Sequence, residues 1–136
     1  MNHSDVANTR TLTKVSVLAT AALLTLPLTG GPAQASGNDR EVRASHRCAT
    51  GDIKVKAKAD DGRIEVEGEV DTNRRGQEWA WKMKRDGNVV ARGTGRTAGP
   101  SGSFEVERKI GNPAGSDHIV FRAARSGRVC RVAVTF

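Results

Sequence analysis

Three short stretches of the chain hold residue types capable of chemistry. In His46-Arg47-Cys48 an imidazole stands two residues from a thiol, a pairing that can activate a cysteine nucleophile or begin a metal site. In DTNRRG (71–76), Asp71, Asn73 and Gly76 occupy the first, third and sixth places of a calcium loop. In QEWAWKMKR (77–85), Trp79 and Trp81 alternate with small and charged residues, as rings on a sugar platform would.

The surrounding residues take chemistry away from each. The chain has two cysteines, Cys48 and Cys130, with no third cysteine or histidine at ligand spacing to either. Beyond residue 35 the histidines are His46 and His118, and no serine sits in a nucleophile-elbow pattern. In the calcium register the fifth place is Arg75 and the twelfth is Lys82, where a bidentate glutamate belongs. A turn in which Asp71 and Asn73 satisfy local backbone groups is expected instead. Glu65, Glu67 and Glu69 each face a lysine, the setting of an ion pair and not of a general acid. The chain reads as a non-enzyme, with no catalytic residue, cofactor or metal.

The elements that position these residues have a period of two. IKVKAKA (53–59) and RIEVEGEV (63–70) alternate without error about Asp61-Gly62, a pair that favours a type I′ hairpin. With that loop, Ile53 faces Val70, Val55 faces Gly68, Ala57 faces Val66 and Ala59 faces Ile64; Lys54, Lys56 and Lys58 meet Glu69, Glu67 and Glu65. A slip of one residue would bury the lysines, so the register is strongly specified. A last hairpin turns at Ser126-Gly127 and pairs Ala123 with Cys130, Phe121 with Val132 and Ile119 with Val134, pointing Cys130 inward. Between them, QEWAWKMKR turns at Asp86-Gly87 into NVVARGTGR, followed by the loop TAGPSG and the strand SFEVERKI.

About seven strands with turn residues roughly every 8–12 positions predict an all-β, antiparallel β-sandwich of immunoglobulin- or fibronectin-like architecture. A small closed barrel is the alternative. In a strand, Trp79, Trp81 and Met83 share one face, while Glu78, Ala80, Lys82 and Lys84 share the other. Indoles turned to solvent would bury a glutamate and two lysines, which is far costlier than burying the rings. The tryptophans therefore belong to the core, and Phe104, Phe121 and Phe136 fall on apolar faces with them.

Residues 1–35 read as a cleaved signal peptide. Arg10 and Lys14 precede the apolar run VSVLATAALLTLPLTG, and Ala33-Gln34-Ala35 is a small-x-small cleavage pattern. Cleavage after Ala35 makes the protein secreted and extracellular, and no later apolar run is long enough to span a bilayer. Residues 36–45 are expected as a flexible lead-in and 46–136 as the β-sandwich domain. Without residues 1–35 the 136-residue chain has 101, and its 22 basic and 15 acidic residues become 20 and 14, a net of +6. A domain this small has a limited core, and outside the cell Cys48 and Cys130 are expected to form one disulfide.

The blocks DDGRIEVEGEVDTNRRGQEWAW, AGPSGSFEVERKI and GRVCRVAVTF resemble a family of small secreted actinobacterial proteins, mostly streptomycete. The resemblance covers most of residues 46–136 and both cysteines. It implies a secreted single-domain β protein with one disulfide, and brings no catalytic residue and no ligand.

Charge is segregated along the chain. Residues 52–71 hold 4 basic and 7 acidic residues, residues 74–96 hold 7 and 2, and residues 117–136 hold 4 and 1. In the final hairpin Arg122 faces Arg131 and Arg125 faces Arg128, like charges directly opposed. These four arginines are the candidate surface for an anionic extracellular polymer such as a wall polymer or nucleic acid. The competing expectation is neutralisation by Glu105 and Glu107 from a neighbouring strand. The function expected is a binding or interaction module at or outside the cell surface, its partner a polyanion or a protein. Alternatives are a secreted inhibitor presenting the loop TAGPSGS to a hydrolase, and an enzyme with an unrecognised site.

Overall fold

Alternation of apolar and charged residues builds strands almost without interruption. A computed structural model describes residues 40–136, and the expected signal peptide and residues 36–39 lie outside the described residues. Eight strands follow: β1 (Glu41–Cys48), β2 (Gly51–Asp60), β3 (Arg63–Asp71), β4 (Glu78–Arg85), β5 (Asn88–Arg96), β6 (Ser103–Gly111), β7 (His118–Arg125) and β8 (Arg128–Thr135). They form two antiparallel sheets, the first ordered β1-β2-β3-β6 and the second β5-β4-β7-β8. The all-β sandwich expected from the period-two pattern is thus the observed architecture.

The hairpin registers agree residue by residue with the apolar pattern. Ile53 pairs with Val70 and Ala59 with Ile64 in β2–β3, and Ile119 pairs with Val134 and Ala123 with Cys130 in β7–β8. The turns at Asp61-Gly62, Asp86-Gly87 and Ser126-Gly127 all have both central residues at positive φ, the type I′ geometry whose twist matches the flanking strands. One irregularity was not legible in advance: the β4–β5 register shifts between Met83 and Lys84, the mark of a bulge.

β1 corrects the expected lead-in. Residues 41–45 pair with β2 instead of trailing free, with Glu41 opposite Lys58 and Ser45 opposite Lys54, and Cys48 ends this strand. Only Val42 and Ala44 turn toward the core ahead of Cys48, too little apolar signal to announce a strand.

The core lies between the sheets. Trp79 and Trp81 are 1% and 2% exposed, as the face argument required, and Phe121 is fully buried. Rings this large fit because glycines face them. A Cβ built on Gly68 would meet the Phe121 ring at 2.6 Å, and one on Gly95 would meet the Phe104 ring at 2.3 Å. At the edge of the first sheet, β6 places the Arg108 guanidinium 5.1 Å from the centre of the Trp81 ring, covering apolar surface with a charge. Cys48 and Cys130 form the expected disulfide, with Cα atoms 5.8 Å apart, and join edge strand β1 of one sheet to edge strand β8 of the other.

Candidate functional site

The outer faces of the two sheets differ in how their charges are paired. On the first, the lysines of β2 face the glutamates of β3. Lys54 Nζ lies 3.1 Å from Glu69, Lys56 Nζ 2.5 Å from Glu67 and Lys58 Nζ 2.7 Å from Glu65, while Lys109 bridges to Asp60. The hydrogen bond to Glu69 holds the Lys54 ammonium above its ordinary pKa, the one to Glu65 does the same for Lys58, and the Lys109 hydrogen bond draws the Asp60 carboxyl down.

Glu105 and Glu107 belong to this face. In the β3–β6 ladder Glu105 stands opposite Glu69 and Glu107 opposite Glu67. The expectation that they neutralise the β7–β8 arginines is therefore wrong: β6 pairs in the first sheet, whereas β7 and β8 are in the second. Carboxylates of Glu65, Glu67 and Glu107 come within 4.8 Å of one another, but Lys58 and Lys56 already pair with the first two.

On the second sheet the cations face one another. Arg131 in β8 is opposite Arg122 in β7, Arg122 is opposite Lys82 in β4, and Lys82 is opposite Arg92 in β5. One cation per strand thus forms a row across all four strands. Neighbouring strands are about 4.8 Å apart, so the row spans about 14 Å. None of the four takes part in an ion pair among the described residues. On one side of it lies a row of small or apolar residues, Thr94, Ala80, Ala124 and Val129, the last of them 52% exposed.

Comparison with family models, curated proteins and solved structures finds no match for this chain.

Arg125 and Arg128, the other expected pair, do not join the row. They flank the type I′ turn at Ser126-Gly127 and line a cleft of about 630 Å³ at one end of the sandwich. The β1–β2 turn and the β3–β4 loop form its other walls, the latter contributing Arg74, Gln77 and Trp79 with the start of β4. The disulfide lies beside it, since Cys48 precedes the lining residue Ala49 and Cys130 follows Arg128 by two.

The β3–β4 loop is held by its own backbone and two buried hydroxyls. Asp71 Oδ1 accepts from the Asn73 amide at 3.3 Å, the local role expected of DTNRRG. Thr72 Oγ1 accepts from the Arg74 amide, and Thr97 Oγ1 accepts from the Gln77 amide at 2.9 Å and donates to the Arg74 carbonyl at 2.5 Å. The Arg74 backbone is thereby held at the cleft by Thr72 close in sequence and by Thr97 from just beyond β5. Neither Arg74 nor the row members Lys82 and Arg92 stood out in the sequence. Lys82 had a signal, being an outward residue of the Trp79-Trp81 strand, but its neighbour across the sheet could not be known without the strand order.

Proposed function

We propose that this protein is a secreted binding module that holds an anionic extracellular polymer on the outer face of its second sheet. The observation that carries this reading is the row Arg92, Lys82, Arg122 and Arg131, three successive like-charge pairs with no carboxylate partner among the described residues. Like charges directly opposed cost about 0.2–1 kcal/mol each. In the first sheet the opposed pairs Glu67–Glu107 and Glu69–Glu105 are offset by Lys56 and Lys54, whereas the row has no such counter-charge among the described residues. A partner with regularly repeated negative charge supplies the missing anions and releases counterions on binding. The disulfide fits an oxidising compartment, where such polymers lie.

The inhibitor reading draws less support. Its loop is tethered and exposed at the tip, but Ala98 and Ser103 close it by reciprocal backbone hydrogen bonds into a four-residue turn. A turn this tight offers no extended segment to lay along a hydrolase cleft.

Binding to a poly(glycerol phosphate) or heparin-type polymer, measured against salt, tests the proposal. Four neutralised charges predict a slope of log K against log salt of about −3, and Arg122→Ser with Arg131→Ser removes about half of it. Lys54→Ser with Lys58→Ser removes the same net charge from the first sheet and serves as the comparison. Equal loss with both pairs would reduce the binding to net charge.

A further inference from the structure

Unpaired cations and two buried, unpartnered polar atoms belong to residues that line the cleft. Arg74, Arg125 and Arg128 converge on it, and none has an ion-pair partner among the described residues. Trp79 lines it and is 1% exposed, with its indole Nε1 buried and without a hydrogen-bond partner. Gln77 lines it too, with a buried and unpartnered Oε1. Buried polar atoms are nearly always satisfied in native proteins, so an orphaned donor and an orphaned acceptor in one cleft indicate an absent partner.

The groups specify that partner's chemistry. Three guanidinium forks suit an anion with more than one charge and more than two acceptor oxygens, which describes a phosphate monoester better than a carboxylate. The indole N–H calls for one further acceptor, and the Gln77 carbonyl oxygen calls for a donor that the phosphoryl group of a monoester dianion lacks, such as a hydroxyl on the group it esterifies. A volume of about 630 Å³ accommodates several such units.

We propose that this cleft is a second site, distinct from the cation row, which binds a phosphate monoester carried on a polyol, either free or as the terminal unit of a polymer. The proposal deepens the polyanion reading by giving the module an end-recognition site, yet it stands on other residues. Because the disulfide ties the β1–β2 turn to the β7–β8 hairpin, it also holds two walls of the cleft at a fixed separation.

The test uses the oxidised protein, with glycerol 3-phosphate, inorganic phosphate and glycerol as separate probes, read by calorimetry and by the fluorescence of Trp79 and Trp81. Glycerol 3-phosphate should saturate and bind more tightly than inorganic phosphate, and glycerol should not bind. Arg125→Ser and Arg128→Ser should each weaken it about tenfold or more, the scale of one lost charge-assisted hydrogen bond. Lys54→Ser with Lys58→Ser should leave it within about twofold, because screening confines charge effects to about 10 Å.

No saturation, equal affinity for inorganic phosphate, or equal weakening by the lysine pair would overturn the proposal. Poly(glycerol phosphate) before and after phosphatase treatment separates the sources. Loss of the part of its binding that depends on Arg125 and Arg128 identifies the polymer end, and no loss, with glycerol 3-phosphate still bound, identifies the free compound. Polymer binding that persists in the Arg125→Ser, Arg128→Ser chain and still needs Arg122 and Arg131 leaves the cation row standing whatever the cleft does.

Discussion

Arg85 and Asp117 are linked across the end of β4 in a way that makes one depend on the other. Asp117 is 1% exposed, and its nearest cation is Arg85, whose Nε lies 3.6 Å from Oδ1 while its Nη1 donates to the Gly111 carbonyl at 2.6 Å. The Asp117 backbone in turn exchanges both hydrogen bonds with Phe136 and fastens the C-terminal residue. Arg85→Leu should therefore destabilise by about 3–5 kcal/mol, because it strands a buried carboxylate. The same change in an Asp117→Leu background should cost far less, and urea unfolding of the four chains of that cycle measures the difference. At Gly68 the contact is steric. Gly68→Ala puts a methyl 2.6 Å from the Phe121 ring and should cost about 1–3 kcal/mol in the same assay. The inward face of Gly68 was legible from alternation alone, but that an aromatic ring from the opposite sheet lies against it was not, since no local pattern encodes inter-sheet contacts. Asp117 was hidden for a related reason: a lone carboxylate before a strand looks like a solvated turn residue.

Hairpins were the most legible elements. Their registers follow from two facts in the sequence, a turn pair that tolerates positive φ and an alternation that tolerates no slip, and β2–β3 and β7–β8 obey both. β1 lacks both signals, with two modest apolar residues and a Cys-Ala-Thr-Gly connection, so its residues 41–45 read as part of a lead-in. Its place as an edge strand makes the disulfide more than a staple for a small core. The bridge spans 82 residues and joins the outer strand of each sheet, so in the chain-entropy model it contributes about 4.5 kcal/mol, against about 2–5 found on removing native bridges. Cys48→Ala with Cys130→Ala should lower stability by about 2–5 kcal/mol, and should raise amide exchange in β1 and β8 before it does so in β3 and β4. Exchange that rises evenly in all strands would mean that the bridge acts only on the unfolded chain.

At the scale of the whole molecule, charge separates by sheet, one face neutralised and one left basic. Hydrogen bonding to Lys109 lowers the Asp60 pKa, so that group's stabilisation is present above the unfolded value of about 3.9 and is lost as pH falls through the lower folded value. Lys54, Lys58 and Lys109, raised by Glu69, Glu65 and Asp60, contribute below about 10.4 and lose that contribution as pH rises through their higher folded values. The first sheet should accordingly be insensitive to pH between these limits, and Lys109→Met should return the Asp60 titration, followed by carboxyl NMR, toward its ordinary value. The second sheet has no such ladder, and this contrast was half legible: the opposed arginines were readable from one hairpin, whereas the row they complete required the order β5-β4-β7-β8. Which face takes up a polyanion is therefore the decisive question. Titration of the isotope-labelled protein with poly(glycerol phosphate), followed by amide and guanidinium NMR shifts, answers it directly. The expected result is a contiguous set of shifts centred on Arg92, Lys82, Arg122 and Arg131, which collapses as salt is raised. Shifts centred instead on Lys54, Lys56 and Lys58, or scattered evenly over every exposed cation, would contradict the assignment of the second sheet as the binding face.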